Sequence, residues 1–432
     1  MSKLKAVIGS PINTFSGYGV MARAFAKALI KAKKDEWDIK FLSLRWGNTP
    51  FGALDPSNEY DKFILDNILS ENRITYQPDI WIQISVSNEF NPIGKYNIGY
   101  TCLVETSIVP GEMVEGLNRM DINLVSSEFT KRIGQTSIWD KRDNSGNVVG
   151  TIKSEKLLIP LFIGLDTDKF KKPQSISFDL SQVKESFCFL SVGHFLPGTD
   201  ILEDRKMIGR TIKAFYEMFK DKKDKPALIL KSSMGTYSYM DEEATLKAIT
   251  NIKDTVISKD LPNVYLIHGE LTEDELCELY AHEKVKAFVL PGNEGFGLPY
   301  IEFSAVSSKP IICSPMTGHV DFLKDDFNVY VNGKIEQIHP AASNQFLLKE
   351  SSMFKADIKD LGNKMEDMYR NYAKYVDNGK RQGYKSRTEF NIDKMSEKLK
   401  QILDQNVPKM SVNVPLNLPQ VKKLDLPKFK KD

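Results

Sequence analysis

PGNEGFGLPYIEFSAVSSKPII, residues 291–312, is the most informative stretch of the sequence. It leaves an apolar run, passes through a glycine loop and enters a helix. Pro299 fits the first turn of that helix, because its missing N–H has no helical partner there. The loop at 295–298 offers backbone N–H groups beside the positive end of the helix dipole, where anions bind. Gly295 and Gly297 let a ligand approach the backbone closely. The stretch therefore predicts a strand–loop–helix unit that binds a phosphate.

Two glutamates flank this loop. Glu302, in the first turn of the helix, can accept two hydrogen bonds from a vicinal diol such as a ribose. Glu294, across the loop, can accept hydroxyls from a second ring. One element would then hold sugar, phosphate and ribose in order, which is a nucleotide-sugar. The competing interpretation is an ordinary crossover with two solvated glutamates, and the spacing alone favours neither.

Apolar runs alternate with helical patterns on both sides of this stretch. In the first half, strands are predicted at 5–10, 38–44, 79–85, 96–102 and 122–127, with a helix at 16–32 that Ser16 caps. In the second half, strands are predicted at 187–195, 227–233, 263–269, 285–292 and 309–314, with helices at 207–221, 241–258, 272–283 and 299–307. Amphipathic helices follow around 358–376 and 390–405. Such alternation predicts an α/β fold of two Rossmann-like, doubly wound domains with parallel sheets.

The predicted organisation has four parts. These are an N-terminal domain at 1–170, a C-terminal domain at 171–388, a helix at 389–406 that returns to the first domain, and a tail at 407–432. The turn residues Asn-Ser-Gly-Asn indicate an exposed hairpin within 140–156. The tail is rich in proline and lysine, so we expect it to be extended or disordered.

Composition limits the function classes. The 432 residues carry a net charge of +2, which predicts no strongly acidic or basic partner. The 4 cysteines lie far apart without a C-x-x-C pair, which argues against a zinc site or a disulfide framework and favours a reducing, cytoplasmic location. The early apolar run AVIG is too short for a signal peptide. No segment approaches the ~18 apolar residues of a membrane span.

The stretch from 291 to 323, PGNEGFGLPYIEFSAVSSKPIICSPMTGHVDFL, resembles the E-x7-E signature of glycosyltransferase family 4, retaining enzymes of the GT-B fold. Further similar segments, in the family's order, are NTFSGYGVMARAFAKAL, MDINLVSSEFTKRIG with LLIPLFIGLDTDKF, SVGHF with DRKMIGRTIKAFYEMF, and LPNVYLIHGELTEDELCELYAHEKVKAFVLP. The resemblance covers most of 5–325. It implies two domains facing across a cleft, with the nucleotide bound mainly by the second and the acceptor mainly by the first.

The resemblance also implies a diphosphate-binding pair. Arg205 and Lys206 precede the helix predicted at 207–221, and Lys206 is the stronger candidate. Fixed cations stabilise a leaving diphosphate without a metal. His194 stands where many relatives carry an arginine, which leaves the contact on that side open. Lys231 ends a strand on the ligand-binding side of a parallel sheet. For Arg205 and Lys206 the alternative is two solvated charges in a loop.

The first domain contributes further candidates through the same resemblance. Gly17 and Gly19 would bring their backbone N–H groups to the donor phosphate; the alternative for this G-x-G is a simple tight turn. Glu105, just past a strand, could orient the acceptor hydroxyl or take its proton. The predicted catalytic residues are Glu105, Lys206 and Glu294. The predicted donor-binding residues are Gly17, Gly19, His194, Arg205, Lys206, Lys231, Glu294, Gly295, Phe296, Gly297, Leu298 and Glu302.

We expect no metal or other cofactor. Asp166 and Asp168 form a D-x-D triplet, which is the metal site of a different architecture, GT-A. Here the triplet lies in GLDTDKF, which resembles a GT-B connector. Apart from His194, His319 is the histidine whose place could bring it near the donor sugar; His268, His282 and His339 show no ligand spacing.

Together these features predict a retaining hexosyl- or pentosyltransferase that uses a nucleotide-diphosphate sugar and a hydroxyl acceptor, with a glycan as the first choice. Three alternatives stay open: an epimerase or hydrolase of the same fold, a transferase acting on hydroxylated nucleobases of DNA, and an inactive nucleotide-sugar-binding protein. The sequence leaves the donor base, the sugar, the acceptor and the oligomeric state undetermined.

Overall fold

The computed structural model describes residues 3–196 and 200–410. The Pro/Lys-rich tail lies outside these residues from 411 onward. Within the described ranges, no helix has both the length and the apolar character needed to cross a bilayer.

The first half of the chain forms a six-stranded parallel sheet in the order β2-β1-β3-β4-β5-β8. Its elements are β1 (Leu4–Ser10), α1 (Gly17–Lys33), β2 (Trp37–Ser43), α2 (Glu59–Asp66), β3 (Ile80–Ile84), β4 (Tyr96–Thr101), α3 (Gly111–Arg119), β5 (Ile122–Val125), α4 (Glu128–Thr136), β6 (Trp139–Arg142), β7 (Val148–Ile152) and β8 (Leu157–Pro160). The two strands β6 and β7 pair as a separate antiparallel hairpin, which is exposed along most of its length. This hairpin confirms the turn predicted within 140–156.

The second half forms another six-stranded parallel sheet, in the order β11-β10-β9-β12-β13-β14. Its elements are β9 (Cys188–Val192), α5 (Ile208–Phe219), β10 (Ala227–Lys231), α6 (Tyr239–Asp254), β11 (Val264–Ile267), α7 (Glu273–Ala281), β12 (Val285–Leu290), α8 (Leu298–Ser307), β13 (Ile311–Cys313) and β14 (Val329–Tyr330). The chain then continues through β15 (Gly333–Gln337), β16 (Ser352–Ala356), α9 (Ile358–Arg370), α10 (Ala373–Glu389) and α11 (Ile392–Asn406).

The central strands are buried on both faces, as parallel strands covered by helices must be. All of β3 and β10 is buried, and their sequences IWIQI and ALILK are almost continuously apolar. Helix α1 begins where it was predicted to begin, because the Ser16 hydroxyl accepts a hydrogen bond from the N–H of Gly19 at 2.9 Å. The predicted fold class, two doubly wound α/β domains, is confirmed.

Helix α10 and the hairpin of β15 and β16 are among the elements that were not predicted. Helix α10 packs on α8 through a face of small and polar residues, namely Gly379, Gln382, Gly383 and Ser386. A face without large apolar side chains gives no helical period of hydrophobicity. The antiparallel hairpin of β15 and β16 was also missed, because β15 is exposed along its whole length.

Helix α11 lies against the first half of the chain. The Ser396 hydroxyl donates to the backbone oxygen of Ala28, in α1, at 2.9 Å. Just before α11, the N–H of Leu165 donates to Phe390 O at 2.8 Å, and the N–H of Ile392 donates to Leu165 O at 3.1 Å. The last helix of the described chain therefore ties the C-terminal half to the first domain.

The two sheets face each other with their carboxyl edges. The loops after β4 and β5 carry Glu105 and Ser127, and these side chains contact Arg205, after β9, and Gly295, after β12. Loops at the carboxyl ends of parallel strands are where α/β proteins bind ligands. The interface between the domains is therefore the place to look for a site.

Candidate functional site

A basic pair lies at the centre of the interface. Arg205 reaches the first domain, where its Nη1 lies 3.0 Å from Glu105 Oε1. The same guanidinium nitrogen donates to the backbone oxygen of Asn293 at 2.8 Å. The Lys206 ammonium instead pairs with Glu294 inside the second domain. The structure thus brings Glu105, Arg205, Lys206 and Glu294, four of the predicted site residues, into one cluster.

The local sequence makes room for this pair. Gly193 follows β9 and Gly292 follows β12, and these two strands are neighbours in the sheet. A Cβ at Gly292 would lie 2.4 Å from the Cα of Lys206, and one at Gly193 would lie 2.9 Å from its Cδ. Both positions must therefore lack a side chain for Lys206 to pass between the strand ends. Asp204 accepts from the N–H groups of Ile208 and Gly209, both at 2.9 Å, and so caps α5 directly behind the pair.

Burial and neighbouring opposite charges shift the pKa values of this cluster in opposite directions. Burial raises the pKa of Glu105 above its ordinary value, and the charge of Arg205 offsets this only in part. Burial also raises the pKa of Glu294, but Lys206 and Arg205 outweigh it and hold that pKa below its ordinary value. The Arg205 pKa is raised, because Glu105 and Glu294 outweigh the burial that opposes its charge. Glu294 and Arg205 are thus stabilised in their charged forms, whereas Glu105 is the carboxyl of the cluster whose pKa is raised.

The glycine loop packs against the first domain. The carbonyl of Gly295 accepts hydrogen bonds from the hydroxyls of Ser127 at 2.8 Å, Ser126 at 3.1 Å and Thr130 at 3.4 Å. Across the same contact, Asp321 accepts from the N–H of Glu128 at 2.8 Å, at the start of α4. These bonds hold the two carboxyl edges together at the loop, so the cleft is closed at this point.

The loop before α8 has backbone N–H groups that are available to a ligand. Within the part of the chain that the structure describes, the backbone N–H groups of Gly295, Phe296, Gly297 and Leu298 donate no hydrogen bond. Gly297 adopts φ +103°, a left-handed conformation that suits glycine, immediately before the helix. N–H groups at a helix tip are the donors that an anion would use, and the predicted anion binding by this loop stays a prediction.

Glu302 lies apart from the cluster. It lines a narrow cavity of about 30 Å³ between the domains, together with Lys27 and Lys169, and its carboxylate accepts from the Tyr280 hydroxyl at 3.4 Å. Burial, with Glu273 adding to it, raises the pKa of Glu302 to about 7. Such a cavity has room for about one water. That Glu302 receives a ribose stays a prediction, and it requires this cavity to widen, since the cavity is too small for a pentose.

The first glycine loop is only partly available to a ligand. The N–H of Gly19 already donates to the Ser16 hydroxyl at the start of α1, and its predicted contact with a phosphate stays a prediction. Gly17 is exposed, and an added Cβ there would meet no atom within 4 Å. Between them, Tyr18 bonds through its hydroxyl to Thr101 at 3.0 Å and accepts from the N–H of Cys102 at 3.1 Å. The loop is thereby fixed against the end of β4.

Two further candidates flank the basic pair. His194 is exposed and bonds through Nδ1 to the Ser233 hydroxyl at 3.1 Å. It lines a cavity of about 280 Å³ together with Arg205 and Lys206. Lys231 ends β10 as predicted, but its ammonium already donates to Gly269 O at 2.6 Å and lies 5.0 Å from the ring centroid of Tyr237. Lys231 is therefore engaged within its own domain, and it does not line that cavity.

The D-x-D triplet takes part in ion pairs. Asp166 bonds to the Lys27 ammonium at 2.7 Å, and Lys27 also lies 3.4 Å from the fully buried Asp61. Within residues 3–196 and 200–410, no group of three His, Cys, Asp or Glu side chains has the arrangement of a metal site. His319 is buried beneath the glycine loop, stacks on Tyr300 at 4.7 Å, and burial lowers its pKa to about 4. A neutral, enclosed imidazole of this kind supports the loop.

Sequence reasoning missed the hydroxyl groups that hold Gly295, the Asp321 contact, and the hairpin of β15 and β16. Each depends on a contact between residues far apart in the chain. Ser126 and Ser127 do carry one local signal, since Ser127 is also the N-cap of α4 and accepts from the N–H of Thr130 at 3.1 Å.

No family profile and no curated protein sequence matches the chain. Solved structures do. HepE from Anabaena, in complex with UDP-glucose, has 12% identity and a TM-score of 0.60, over 93% of this chain and 100% of that one. Sucrose-phosphate synthase from Thermosynechococcus elongatus has 14% identity and a TM-score of 0.59, over 94% and 99%. An E. coli structure bound with UDP-2-fluoro glucose has 11% identity and a TM-score of 0.56, over 94% and 100%. At these identities the likeness concerns the fold: the chain has the two-domain GT-B architecture along nearly its whole length.

Proposed function

We propose that this chain is a retaining glycosyltransferase that moves a hexosyl or pentosyl group from a nucleotide-diphosphate sugar to a hydroxyl acceptor. The observation that carries the proposal is the pair Arg205 and Lys206, held between the carboxyl edges of two Rossmann-like domains. Each cation has a carboxylate partner, and the partner of Arg205 comes from the opposite domain. A diphosphate is the anion that two adjacent cations in such a cleft fit.

In this proposal the second domain binds the donor. Lys206 and Arg205 take the diphosphate and stabilise the charge that grows on it as the glycosidic bond breaks. The four free N–H groups at the tip of α8 contribute to the same anion. Glu294, beside Lys206, accepts hydroxyls of the sugar ring. Glu302 reaches the ribose only after the domains have moved apart and its cavity has widened.

Glu105 is the group we assign to the acceptor. It lies on the first domain, 3.0 Å from Arg205, and its pKa is raised by burial. A carboxylate with a raised pKa accepts a proton more readily at neutral pH. In this proposal Glu105 lies opposite the donor diphosphate and takes the proton of the incoming hydroxyl.

The solved neighbours favour nucleotide-sugars as ligands. HepE was crystallised with UDP and with UDP-glucose, and the E. coli structure holds UDP-2-fluoro glucose. These complexes suggest a uridine donor as the first to test. The near-neutral charge of the chain, +2, favours a glycan over DNA as acceptor. The cysteines of the described residues are all free, in keeping with the reducing, cytoplasmic location we propose.

A ligand screen followed by a turnover assay tests the proposal. UDP-, GDP- and ADP-sugars are first compared by thermal shift, since a ligand at about 100 times its Kd stabilises a protein by about 2.7 kcal/mol. Release of the nucleoside diphosphate is then measured with and without a panel of glycan acceptors and of DNA with hydroxylated bases. Acceptor-dependent release supports the transferase, and the anomeric configuration of the product tests retention.

Other outcomes separate the alternatives. Donor conversion with no acceptor present indicates an epimerase or hydrolase, and acceptor-dependent release with DNA alone indicates a nucleobase transferase. Tight binding without turnover indicates an inactive binding protein. If no nucleotide-sugar shifts the unfolding temperature, the proposal is wrong.

A further inference from the structure

A long connection joins β15 to β16. These strands pair in register up to Gln337 and Ser352, and residues 338–351 link them. We call residues 338–351 the strap. A tight turn would close this hairpin, so the strap is an addition that the second domain does not need for its sheet.

The strap is held in one conformation by its own hydrogen bonds. The Asn344 side chain accepts from the N–H of Phe346 at 2.8 Å and of Leu347 at 3.0 Å. At its base, the Ser351 hydroxyl bonds to Leu348 O at 2.6 Å, and the N–H of Ile338 donates to Ser351 O at 2.9 Å. A segment with this many internal bonds behaves as a folded unit and can shape a binding site.

The strap also crosses to the first domain. Directly after the strap, at the first residue of β16, Ser352 and Ser107 exchange two hydrogen bonds, both 2.8 Å long. The N–H of Ser107 donates to Ser352 O, and the N–H of Ser352 donates to the Ser107 hydroxyl. Phe346 packs against the apolar cluster of the first domain that includes Phe90 and Leu103. Ser107 is two residues from Glu105. The strap is therefore anchored on both sides of the cleft, next to the proposed acceptor-side carboxylate.

The strap forms one wall of the cavity beside the basic pair. The 280 Å³ space lies between Arg205 and Lys206 on one side and strap residues that include Ala342, Ser343 and Leu347 on the other. Sites for drug-sized ligands span roughly 300–1,000 Å³, so this cavity suits a single ring better than an oligosaccharide. The strap residues that line it carry no charge, which suits a neutral ring bearing hydroxyls.

We propose that the strap builds the subsite for the sugar ring of the donor, with Ala342 as the residue that limits the ring's size. This inference rests on the proposed function. The diphosphate occupies the cationic wall, the ring lies against the strap, and the anchoring at Ser107 forms the subsite when the cleft is closed. A ring enclosed in this way is shielded from water.

The test compares a nucleoside diphosphate with its sugar conjugate, so that the ring is the sole difference between the two ligands. Titration calorimetry gives the Kd of UDP and of UDP-glucose, or of the GDP or ADP pair if the wild type binds that base. The ratio that matters is the Kd of the nucleotide-sugar divided by the Kd of the nucleoside diphosphate. In Ala342→Trp the indole fills the cavity, so we expect this ratio to rise by more than about tenfold. The Kd of the nucleoside diphosphate itself should stay within about threefold of the wild type. Lys334→Trp, on the exposed face of β15 in the same hairpin, is the control and should leave the ratio unchanged.

A second variant removes the strap and joins Gln337 to Ser352 through Asn-Gly, a two-residue hairpin turn. We expect it to bind the diphosphate but to raise the ratio by about threefold or more, because the ring loses a wall. Thermal unfolding of each variant checks that the fold is kept. If the wild type binds neither ligand of any pair, the proposed function fails and the inference with it. If the wild type binds both and the ratio stays constant in either folded variant, the strap inference alone is overturned.

Discussion

Replacing Lys206 with methionine removes one charge from the basic pair and keeps most of the side-chain volume. The Lys206 and Glu294 side chains are only 13% and 9% exposed, so the variant leaves a carboxylate buried without its partner. Breaking a buried ion pair in this way costs about 3–5 kcal/mol. Because Arg205 also stabilises the charge of Glu294, we expect a loss near the lower end, about 3 kcal/mol of unfolding free energy at pH 7.

The loss should depend on pH in a defined direction. The wild-type pKa of Glu294 lies below its ordinary value, so its charge stabilises the fold above the unfolded-state pKa of about 4.3 and ceases to do so as pH falls through the folded-state pKa. In Lys206→Met the burial of Glu294 is no longer offset, and its pKa rises. The destabilisation relative to wild type is therefore largest at neutral pH and shrinks as the carboxyl is protonated towards about pH 4.

Urea unfolding between about pH 4 and 8 measures this difference, and a second substitution identifies its cause. The double variant Lys206→Met with Glu294→Gln has no uncompensated charge, so it should regain most of the lost stability. Lys62→Met, which breaks an exposed pair with Asp66, is the matched control and should cost less than about 1 kcal/mol. In both Lys206→Met and the double variant, we expect the affinity for a nucleoside diphosphate to fall about 10- to 100-fold. The second substitution should therefore restore stability without restoring this affinity.

The reasoning fails if Lys206→Met loses less than about 1 kcal/mol at pH 7 and still binds a nucleoside diphosphate as tightly as the wild type. A stable variant would mean that the pair is effectively solvated. Unchanged affinity would mean that the diphosphate lies elsewhere.

Three further predictions concern the surroundings of the cluster. Glu302→Gln should stabilise the protein relative to wild type, by an amount that grows from about pH 4.5 and reaches up to about 3 kcal/mol above pH 7 in urea unfolding. The reason is that the wild type must ionise a buried carboxyl whose pKa is raised to about 7. No gain in unfolding free energy at pH 8 would refute this. Gly318→Ala should cost about 2–3 kcal/mol and weaken donor binding, since its methyl would lie 1.9 Å from Gly295 O. Gly150→Ala, with a nearest neighbour at 4.0 Å, should do neither. Once a donor is found, EDTA should leave its turnover within about twofold, because fixed cations replace a metal, and a larger loss would contradict this.

The parts of the fold that depend on local patterns were predictable from the sequence. Helix α1 begins at a serine cap, and the opening stretch forms a strand, a glycine loop and α8 in the expected order. Parallel strands such as β10 were predictable because they are apolar along almost their whole length. These features require only that near neighbours in the chain satisfy backbone hydrogen bonds and bury apolar surface.

The arrangement of the site depended on contacts that the sequence does not display. Nothing local to Gly19 shows that Ser16 occupies its N–H, and nothing local to Glu302 shows that α1 of the other domain narrows its cavity. The basic pair could be named from the resemblance, but its pairing with Glu105 and Glu294 follows only from domain closure. The members of these two ion pairs lie 88 and 100 residues apart in the chain, so the tertiary fold brings them together.

The ion pairs give the proposed reaction a physical order. A donor diphosphate that enters the cleft competes for Arg205 and Lys206 with the two carboxylates they already hold. When Arg205 turns to the diphosphate, Glu105 loses the cation that offset its burial and gains a negative neighbour. Both changes raise the pKa of Glu105 further. As long as it is ionised, the group assigned to accept the acceptor's proton is therefore a stronger base once the donor is in place, which couples proton removal to donor binding.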